Sequence, residues 1–378
     1  MARYVGRREK TFTTVLGSLT LSRAYYYCED DGEGFCPRDK ALGLEGASLS
    51  PGVLRMVGFV GGSVSFEEGS ELLKELAGVG VSSKAVERAA EVLGREIAQD
   101  EIQIIDADTE DDLPETLYTG MDGTGIPMRA EALTGRKGKQ ADGSSKTREV
   151  KLCTVWSAEG RDENGTPVRD EGSVSYTAAI ESAAETQDGS PSDFATRVLR
   201  ETSRRRFDHA IRRVILGDGA AWIWNLADTH FPGAIQIVDR FHVKEHLSNV
   251  AKIIWGGSNE YATAWAKIRH EELDNEDLKN LFLALEIHAK AVPEARQCLD
   301  YLKHNRHRIR YKTFHAAGLC TSTGVVEAGC KHTIGTRLKR PGMHWTESGA
   351  NSIIALRCSR LSGRFESFWE RRNLKNAA

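Results

Sequence analysis

No run of apolar residues in this 378-residue chain approaches the ~18 that a membrane span requires. The amino terminus, MARYVGRREKTF, lacks the apolar core of a secretory signal. Cysteine is scarce, with seven residues at 28, 36, 153, 298, 320, 330 and 358. An odd, scattered set favours reduced thiols over a disulfide framework. A cytoplasmic protein is therefore expected. There is no Gly-x-x-x-x-Gly-Lys-Ser/Thr loop for a nucleotide, and His270-Glu271 lacks the second His of a zinc protease. An excess of one charge is missing too. Lys and Arg number 51 against 54 Asp and Glu, a net −3, so the whole-chain charge does not announce a polyanion partner. Internal repeats are absent.

What is present is a soluble composition, 40% hydrophobic and 28% charged, and a length that allows two or three domains. Residues 13–27 (TTVLGSLTLSRAYYY) are rich in β-branched and aromatic residues and predict a hairpin. Cys28 and Cys36 then flank a turn, EDDGEGF. Two cysteines do not fill a four-ligand zinc site, so no N-terminal Zn²⁺ is expected. Residues 1–48 form this hairpin region.

From Ser50 the pattern turns helical. Ser50-Pro51 suits a cap followed by proline at the first helical position. Ser65 with Glu68 predicts a capping box that opens a second helix through Ala77. Gly78-Val79-Gly80 breaks it, and a third helix runs from about Ser83 to Gln99. Residues 49–99 thus have the outline of a helix-turn-helix, with Lys84, Arg88 and Arg95 on the outer face of the third helix as candidate DNA contacts. A small helical cap with a solvated face reads the same way. Residues 100–115 carry eight acids and no base and predict a linker.

Beyond it, LYTGMDG is read as a strand ending on Asp122 and REVKLCTVWS as a second strand. A basic, Gly-rich loop separates them. VSYTA (174–178) is a third strand, and 192–207 a helix. RRVILGDG and AIQIVD are short buried runs, as parallel strands should be, each followed by a helix. The order predicts an α/β layer over 116–250 with functional residues at the carboxyl ends of its strands. The helical block 251–318 looks inserted, and 319–378 returns to the layer, closing with a helix over 349–369.

Asp122 and Asp218 each follow an apolar strand and precede a glycine. Singly, either acid suits a turn or a cap as well as catalysis. Glu327 is the third candidate, because residues 301–340 hold nine basic residues against this one acid. That +8 stretch, including Arg306, Arg308, Arg310, Lys331, Arg337, Lys339 and Arg340, is an electrostatic footprint for a phosphate backbone. Three converging carboxylates make a hard site suited to two Mg²⁺ or Mn²⁺ ions, which can activate a water or 3′-hydroxyl at a phosphodiester.

MDGTGIPM, REVKL, GDGAAWIWNLA, FPGAIQIVDRFHVKEHL and GVVEAGCKHTIGTRLKRPGMHW together resemble the ISKra-type insertion-sequence transposases of the DDE class, related to Mutator-like transposases. The likeness runs from about Tyr25 to Trp369. It implies an RNase H-like catalytic domain with an α-helical insertion, and metal-dependent DNA strand cleavage and transfer at insertion-sequence ends. By motif it implies Asp122, Asp218 and Glu327 as the catalytic and metal-holding triad. Asp239 and His242, in an Asp-x-x-His signature, are implied as supporting residues, with a helix cap and a structural His as the alternatives. Trp222 and Trp224 are read as packing residues in preference to base-stacking ones. The partners implied are double-stranded DNA, as terminal inverted repeats and target, and further copies of the chain on it. The place implied is the cytoplasm, with the nucleoid when bound. A catalytically idle, DNA-binding descendant and a plain nuclease are the competing readings. Two departures stand out. Asp31 occupies the second position of the family's usual Cys-x-x-Cys, and the chain starts almost directly at the Tyr-rich strand, which suggests a shortened copy.

Overall fold

In the computed structural model, which describes all residues except 45–47, 104–112, 139, 141, 142, 144 and 378, the chain opens with a long hairpin. It consists of β1 (Ala2–Thr14) and β2 (Gly17–Cys28), with a short third strand β3 (Glu33–Phe35) on the far side of β2. The pattern in residues 13–27 predicts the turn and β2 but misses β1. The reason is that β1 is exposed along almost its whole length, so it carries no apolar face to mark it. Phe12 alone is fully buried there, and the Thr13 backbone pairs with Ser48 O and Ser50 N. Arg23 is buried against Asp39 of α1 (Pro37–Ala41).

Three helices follow. Ser50 caps α2 (Pro51–Ser63), and the expected capping box of Ser65 and Glu68 opens α3 (Phe66–Ala77). Gly78, in the left-handed region at φ 64°, ends it. The third helix, α4 (Ser83–Gln103), runs past the expected end. The acids that predict a linker from residue 100 do not stop it, because Asp100 is buried and receives Arg371 at 2.8 Å. Residues 104–112 of that linker lie outside the described residues.

The α/β layer comprises β4 (Thr116–Pro127), β5 (Thr147–Ser157), β8 (Ser175–Ala179), β9 (Arg212–Gly217) and β10 (Ile235–Val238). Between β5 and β8 a small ribbon forms from β6 (Gly160–Arg161) and β7 (Pro167–Val168). The five main strands make one mixed sheet in the order β10-β9-β4-β5-β8. β4, β5 and β8 are antiparallel neighbours, while β9 and β10 run parallel to β4. Two short parallel strands need crossover helices. These are α5 (Asp193–Arg204) before β9 and α6 (Ala221–His230) before β10, and α7 (Arg240–Ile254) leads out of the last strand.

The helical block follows as α8 (Glu260–Asp274), α9 (Leu278–His288), α10 (Pro293–His304) and α11 (Tyr311–Ala316). The chain then returns through α12 (Gly324–Gly329), a π-helical turn over Cys330–Gly335, and α13 (Thr336–Leu338). The expected single closing helix is two, α14 (Glu347–Leu361) and α15 (Phe365–Ala377), broken at Gly363 with φ 72°.

The larger of two hydrophobic clusters among the described residues joins the α2–α4 unit to the sheet and the closing helices. The inner face of α4 packs on α2 and α3, with Val86 and Ala90 beside Gly61 and Leu93 beside Gly58, while Gly94 turns toward α14. The approach is close enough that a Cβ on Gly94 would lie 2.0 Å from Ser352 O. No helix among the described residues is long and apolar enough to cross a membrane. Gly94→Ala gains about 1 kcal/mol of helix propensity, yet overpacking against backbone costs about 1–3 kcal/mol and cannot be relieved by a rotamer. A lower urea midpoint is expected. An unchanged or raised midpoint would show that α4 and α14 can separate without loss.

Candidate active site

The register of the sheet places the first two acids side by side. β4 and β9 are parallel, with Met121 opposite Gly217, so the next residues are Asp122 and Asp218. Asp218 stands just past the end of β9, where its Oδ1 accepts from Ala220 N at 2.9 Å. Asp122 differs from its expected position. β4 continues to Pro127, so Asp122 lies inside the strand, opposite Leu152 of β5. Its Oδ1 accepts from Gly123 N at 2.6 Å, and the Cys330 thiol donates to the same carboxylate. Desolvation raises the Asp122 pKa above the usual range. The Asp218 and Glu149 charges push the same way, against the hydrogen bonds from Cys330 and Gly123.

Gly219 has φ 100°, and a Cβ there would meet Tyr301 Oη at 2.3 Å. Tyr301 instead donates to Asp218 O at 3.3 Å. The glycine after Asp218 is thus required by its backbone and by a tyrosine from the helical block.

Glu327 arrives on α12, which lies over the face of β4 that bears Asp122. Val326 fills the space above Gly120, where a Cβ would be 2.2 Å from Val326 Cγ2. Gly329 sits over β5 and β8, where a Cβ would be 2.9 Å from Tyr176 and 3.0 Å from Leu152. Cys330 opens the π-helical turn and reaches Asp122, and burial pushes its thiol pKa up. Glu327 lies one helical turn before it and is exposed. Thr323 Oγ1, at 3.5 Å, marks the limit of a hydrogen bond to Glu327 Oε1.

The Asp-x-x-His signature resolves into two unlike roles. Asp239 is 1% exposed and caps α7, its Oδ1 accepting from His242 N at 2.6 Å. Its Oδ2 accepts from Thr323 N and, at 2.8 Å, from Thr323 Oγ1. One carboxylate therefore fastens the start of α7 to the start of the Glu327 helix. His242 instead faces His246, Nε2 to Nε2 at 3.1 Å, and the His246 ring lies 5.1 Å from that of Tyr301. Desolvation and repulsion from His242 lower the His246 pKa. Thr323, Cys330 and Tyr301 are the site residues that sequence reasoning misses.

The basic candidates divide. Lys339 is exposed and donates to Thr124 Oγ1, two residues beyond Asp122 on β4. Lys331 and Arg306 are exposed. Arg310 is also exposed but pairs with Glu276 at 2.9 Å, and Arg340 pairs with Glu68 at 2.6 Å. Arg308 and Arg337 are corrected, since both are buried and cannot meet DNA in this arrangement. Arg308 binds Gln236 at 2.6 Å and stacks on Trp224, while Arg337 binds Gly61 O at 2.9 Å between Phe66 and Trp345. Lys84, Arg88 and Arg95 face outward from α4, with Lys84 paired to Glu87. Trp224 is buried and Trp222 packs edge-on to Phe194.

Among the described residues, no three His, Cys, Asp or Glu side chains are gathered closely enough to hold a metal ion. The donor chemistry of the adjacent Asp122 and Asp218 fits a hard divalent cation, which would relieve the repulsion that raises Asp122. Glu327, on the neighbouring helix, is not drawn into that pair.

The chain belongs to the UPF0236 family, an uncharacterised protein family that matches residues 2–373. No curated protein matches it. Among solved structures it is similar to one described as "Drosophila P element transposase strand transfer complex". That likeness has 10% identity and a TM-score of 0.30, and covers 88% of this chain and 83% of that one.

Two measurements check this geometry. Asp239→Ala leaves three donors unpaired in a buried place, at about 1–3 kcal/mol for each group left unsatisfied. An unfolding free energy lower by at least about 3 kcal/mol, read from urea titration, is expected, and an unchanged value would mean that the two helix starts are held by other contacts. Asp122→Asn should act oppositely in metal-free buffer. The folded pKa of Asp122 lies above its unfolded value of about 3.9, so wild-type stability falls as pH rises between the two. The Asn variant escapes that loss. It should melt higher than wild type at pH 8, with the gap closing below about pH 4. A variant that melts lower at pH 8 contradicts the assignment.

Proposed function

We propose that this chain is a DDE transposase with an RNase H-like catalytic domain, as its resemblance to ISKra-type transposases implies, cutting and joining DNA at the ends of an insertion sequence. Support comes first from the sheet, in which three antiparallel strands are followed by two parallel ones laid on the far side of the first. The observation that carries the reading is the juxtaposition of Asp122 and Asp218 on paired strands, with the Glu327 helix fastened across the same strand. A protein seldom sets two carboxylates together, one of them desolvated, without a cation or a proton to share between them.

In this reading Asp122 and Asp218 hold Mg²⁺ or Mn²⁺ and Glu327 completes the ligand set. Ions held there would supply Lewis-acid activation of a water or a 3′-hydroxyl and neutralisation of charge at the leaving oxygen. Cys330 positions the Asp122 carboxylate, which would be a ligand of the cation. Asp239 and Thr323 hold the Glu327 helix in register. Lys331 and Lys339 contact the phosphate backbone beside the acids. Terminal repeats and target duplex are the partners, and two ends must be brought together, so the active form holds more than one chain.

One observation favours a second reading, a DNA-binding descendant that no longer cuts: the three carboxylates are not gathered into a metal-holding group. A cleavage assay on end-labelled DNA from the flanks of the coding sequence separates the two. Wild type, Asp218→Asn and Glu327→Gln are compared in Mg²⁺, Mn²⁺ and EDTA. The transposase reading expects cuts at the element ends that both variants and EDTA abolish, at least a hundredfold. Binding without cutting in either metal selects the idle descendant, and cutting by both variants at the wild-type rate removes Asp218 and Glu327 from the site.

A further inference from the structure

We infer that the amino-terminal β1–β2 hairpin is a DNA-contacting ribbon, a second binding element separate from α4 and from the basic stretch around Glu327. The inference rests on the DNA partner proposed above and assigns part of its grip.

The hairpin is twelve paired positions long, from Ala2 opposite Cys28 to Thr14 opposite Gly17. At ~3.3 Å per residue it extends about 40 Å. A two-stranded ribbon of this kind has two faces, and a soluble domain ordinarily buries one of them. Here one face carries the anchors, Phe12 and Arg23. The other carries Tyr4, Arg7, Glu9, Thr11 and, from β2, Ser18, Thr20 and Ser22, all exposed. That face is largely a row of hydroxyls with one charge of each sign, and its aromatic pair, Tyr4 edge-on to Tyr26, lies at the end away from the turn. It suits neither a protein core nor a membrane surface. Hydroxyls and a guanidinium are the groups that meet phosphate and sugar oxygens.

Charge points the same way. β1 is an open edge of its three-stranded sheet, since β2 lies between it and β3. It bears Arg3, Arg7, Arg8 and Lys10 against Glu9 alone. Arg3 is paired with Glu29 at 3.2 Å. Among the described residues, none of the other three has a carboxylate partner. Arg7 binds Ser22, its Nε reaching Oγ at 3.1 Å and its NH2 the carbonyl at 2.6 Å. Arg8 lies 3.4 Å over the Tyr25 ring, and Lys10 lies 5.1 Å from the Phe12 ring. Each is held by a neutral partner; Arg7 lies on the free face with Glu9, whereas Arg8 and Lys10, opposite Arg23 and Leu21, flank the open edge from the anchor face. Other bases do have carboxylate partners, among them Arg240 and Lys244 on α7 and Arg269, Lys303 and Arg310 in the helical block. A ribbon two strands wide fits a major groove of about 12 Å, which is how known β-ribbon readers enter DNA.

The competing account is that the three cations only guard an exposed strand edge against pairing with another chain. One experiment decides. The full chain and its Arg7→Glu/Arg8→Glu/Lys10→Glu variant are titrated onto a fluorescein-labelled 30-base-pair duplex at graded KCl. Sedimentation velocity is run on each without DNA. An Arg7→Gln/Arg8→Gln/Lys10→Gln variant repeats the test without charge reversal. With roughly 0.9 of log–log salt slope per phosphate neutralised, the expected result is a slope smaller by about 2–3 in both variants, with affinity at 0.1 M salt down at least tenfold. Unchanged slope and affinity overturn the ribbon, and larger assemblies in those variants would then identify an edge guard. A wild type that binds no duplex at all overturns the DNA partner itself, and the ribbon with it.

Discussion

Along one face of β4 every second residue is met by the segment that follows the helical block. Cys320 N donates to Tyr118 Oη at 3.2 Å, Val326 lies over Gly120, Cys330 reaches Asp122, and Lys339 reaches Thr124. The two-residue repeat of the strand is thereby matched to the slower advance of a helix. The match holds only because Gly120 and Gly329 carry no side chains at the places of closest approach. The remaining geometry depends on it. With an alanine at either position α12 would have to lift, the Cys330 thiol would leave Asp122, and Glu327 would move away from the strand. The π-helical turn begins at Cys330, where the helix has to advance by an extra residue to keep this register.

The electrostatics follow from that packing. Burial by α12 desolvates Asp122 while the sheet register sets Asp218 beside it, and no arginine or lysine forms an ion pair with either carboxylate among the described residues. Two other acidic sites are neutralised within the chain. Glu201, fully buried, receives Arg204 and Arg364, each at 2.9 Å. Asp274 receives both Arg240 and Lys244. The contrast separates acids that hold the fold together from acids left for something outside the chain.

Much of this was legible in residues. The order of strands and helices in the α/β layer follows from the change of hydrophobic period at Leu117 and from short apolar runs that end in Asp-Gly or Asp-Arg. The caps at Ser50 and Ser65 are local chemistry and read directly. The misses have local causes as well. β1 has no apolar face, so a ribbon exposed on both sides leaves no periodicity to find. The strand holding Asp122 continues through DGTGIP because it stays paired to β5 as far as Thr147, a fact that composition cannot supply. Asp100 looks like a linker acid until Arg371, 271 positions away, arrives beside it. Arg308 and Arg337 read as DNA contacts because basic charge is visible in a sequence, whereas the rings and carbonyls that enclose them come from distant parts of the chain. Thr323 gives no signal at all, and its role exists only in the bond to Asp239.

That bond joins residues 84 positions apart. Beside it the Arg240 amide donates to Thr321 O at 2.9 Å, so the outgoing and returning chains meet at one spot. Everything from α7 to α11 therefore hangs from a socket whose two contacts are already closed within the sheet layer. Such a socket does not measure the length of what is plugged into it. Relatives with a longer, shorter or unrelated helical block could keep the same three acids in place, provided an aspartate and a hydroxyl still close the gap. The block is then free to be exchanged except at Tyr301, whose hydroxyl on Asp218 O is the point where the site would register the exchange.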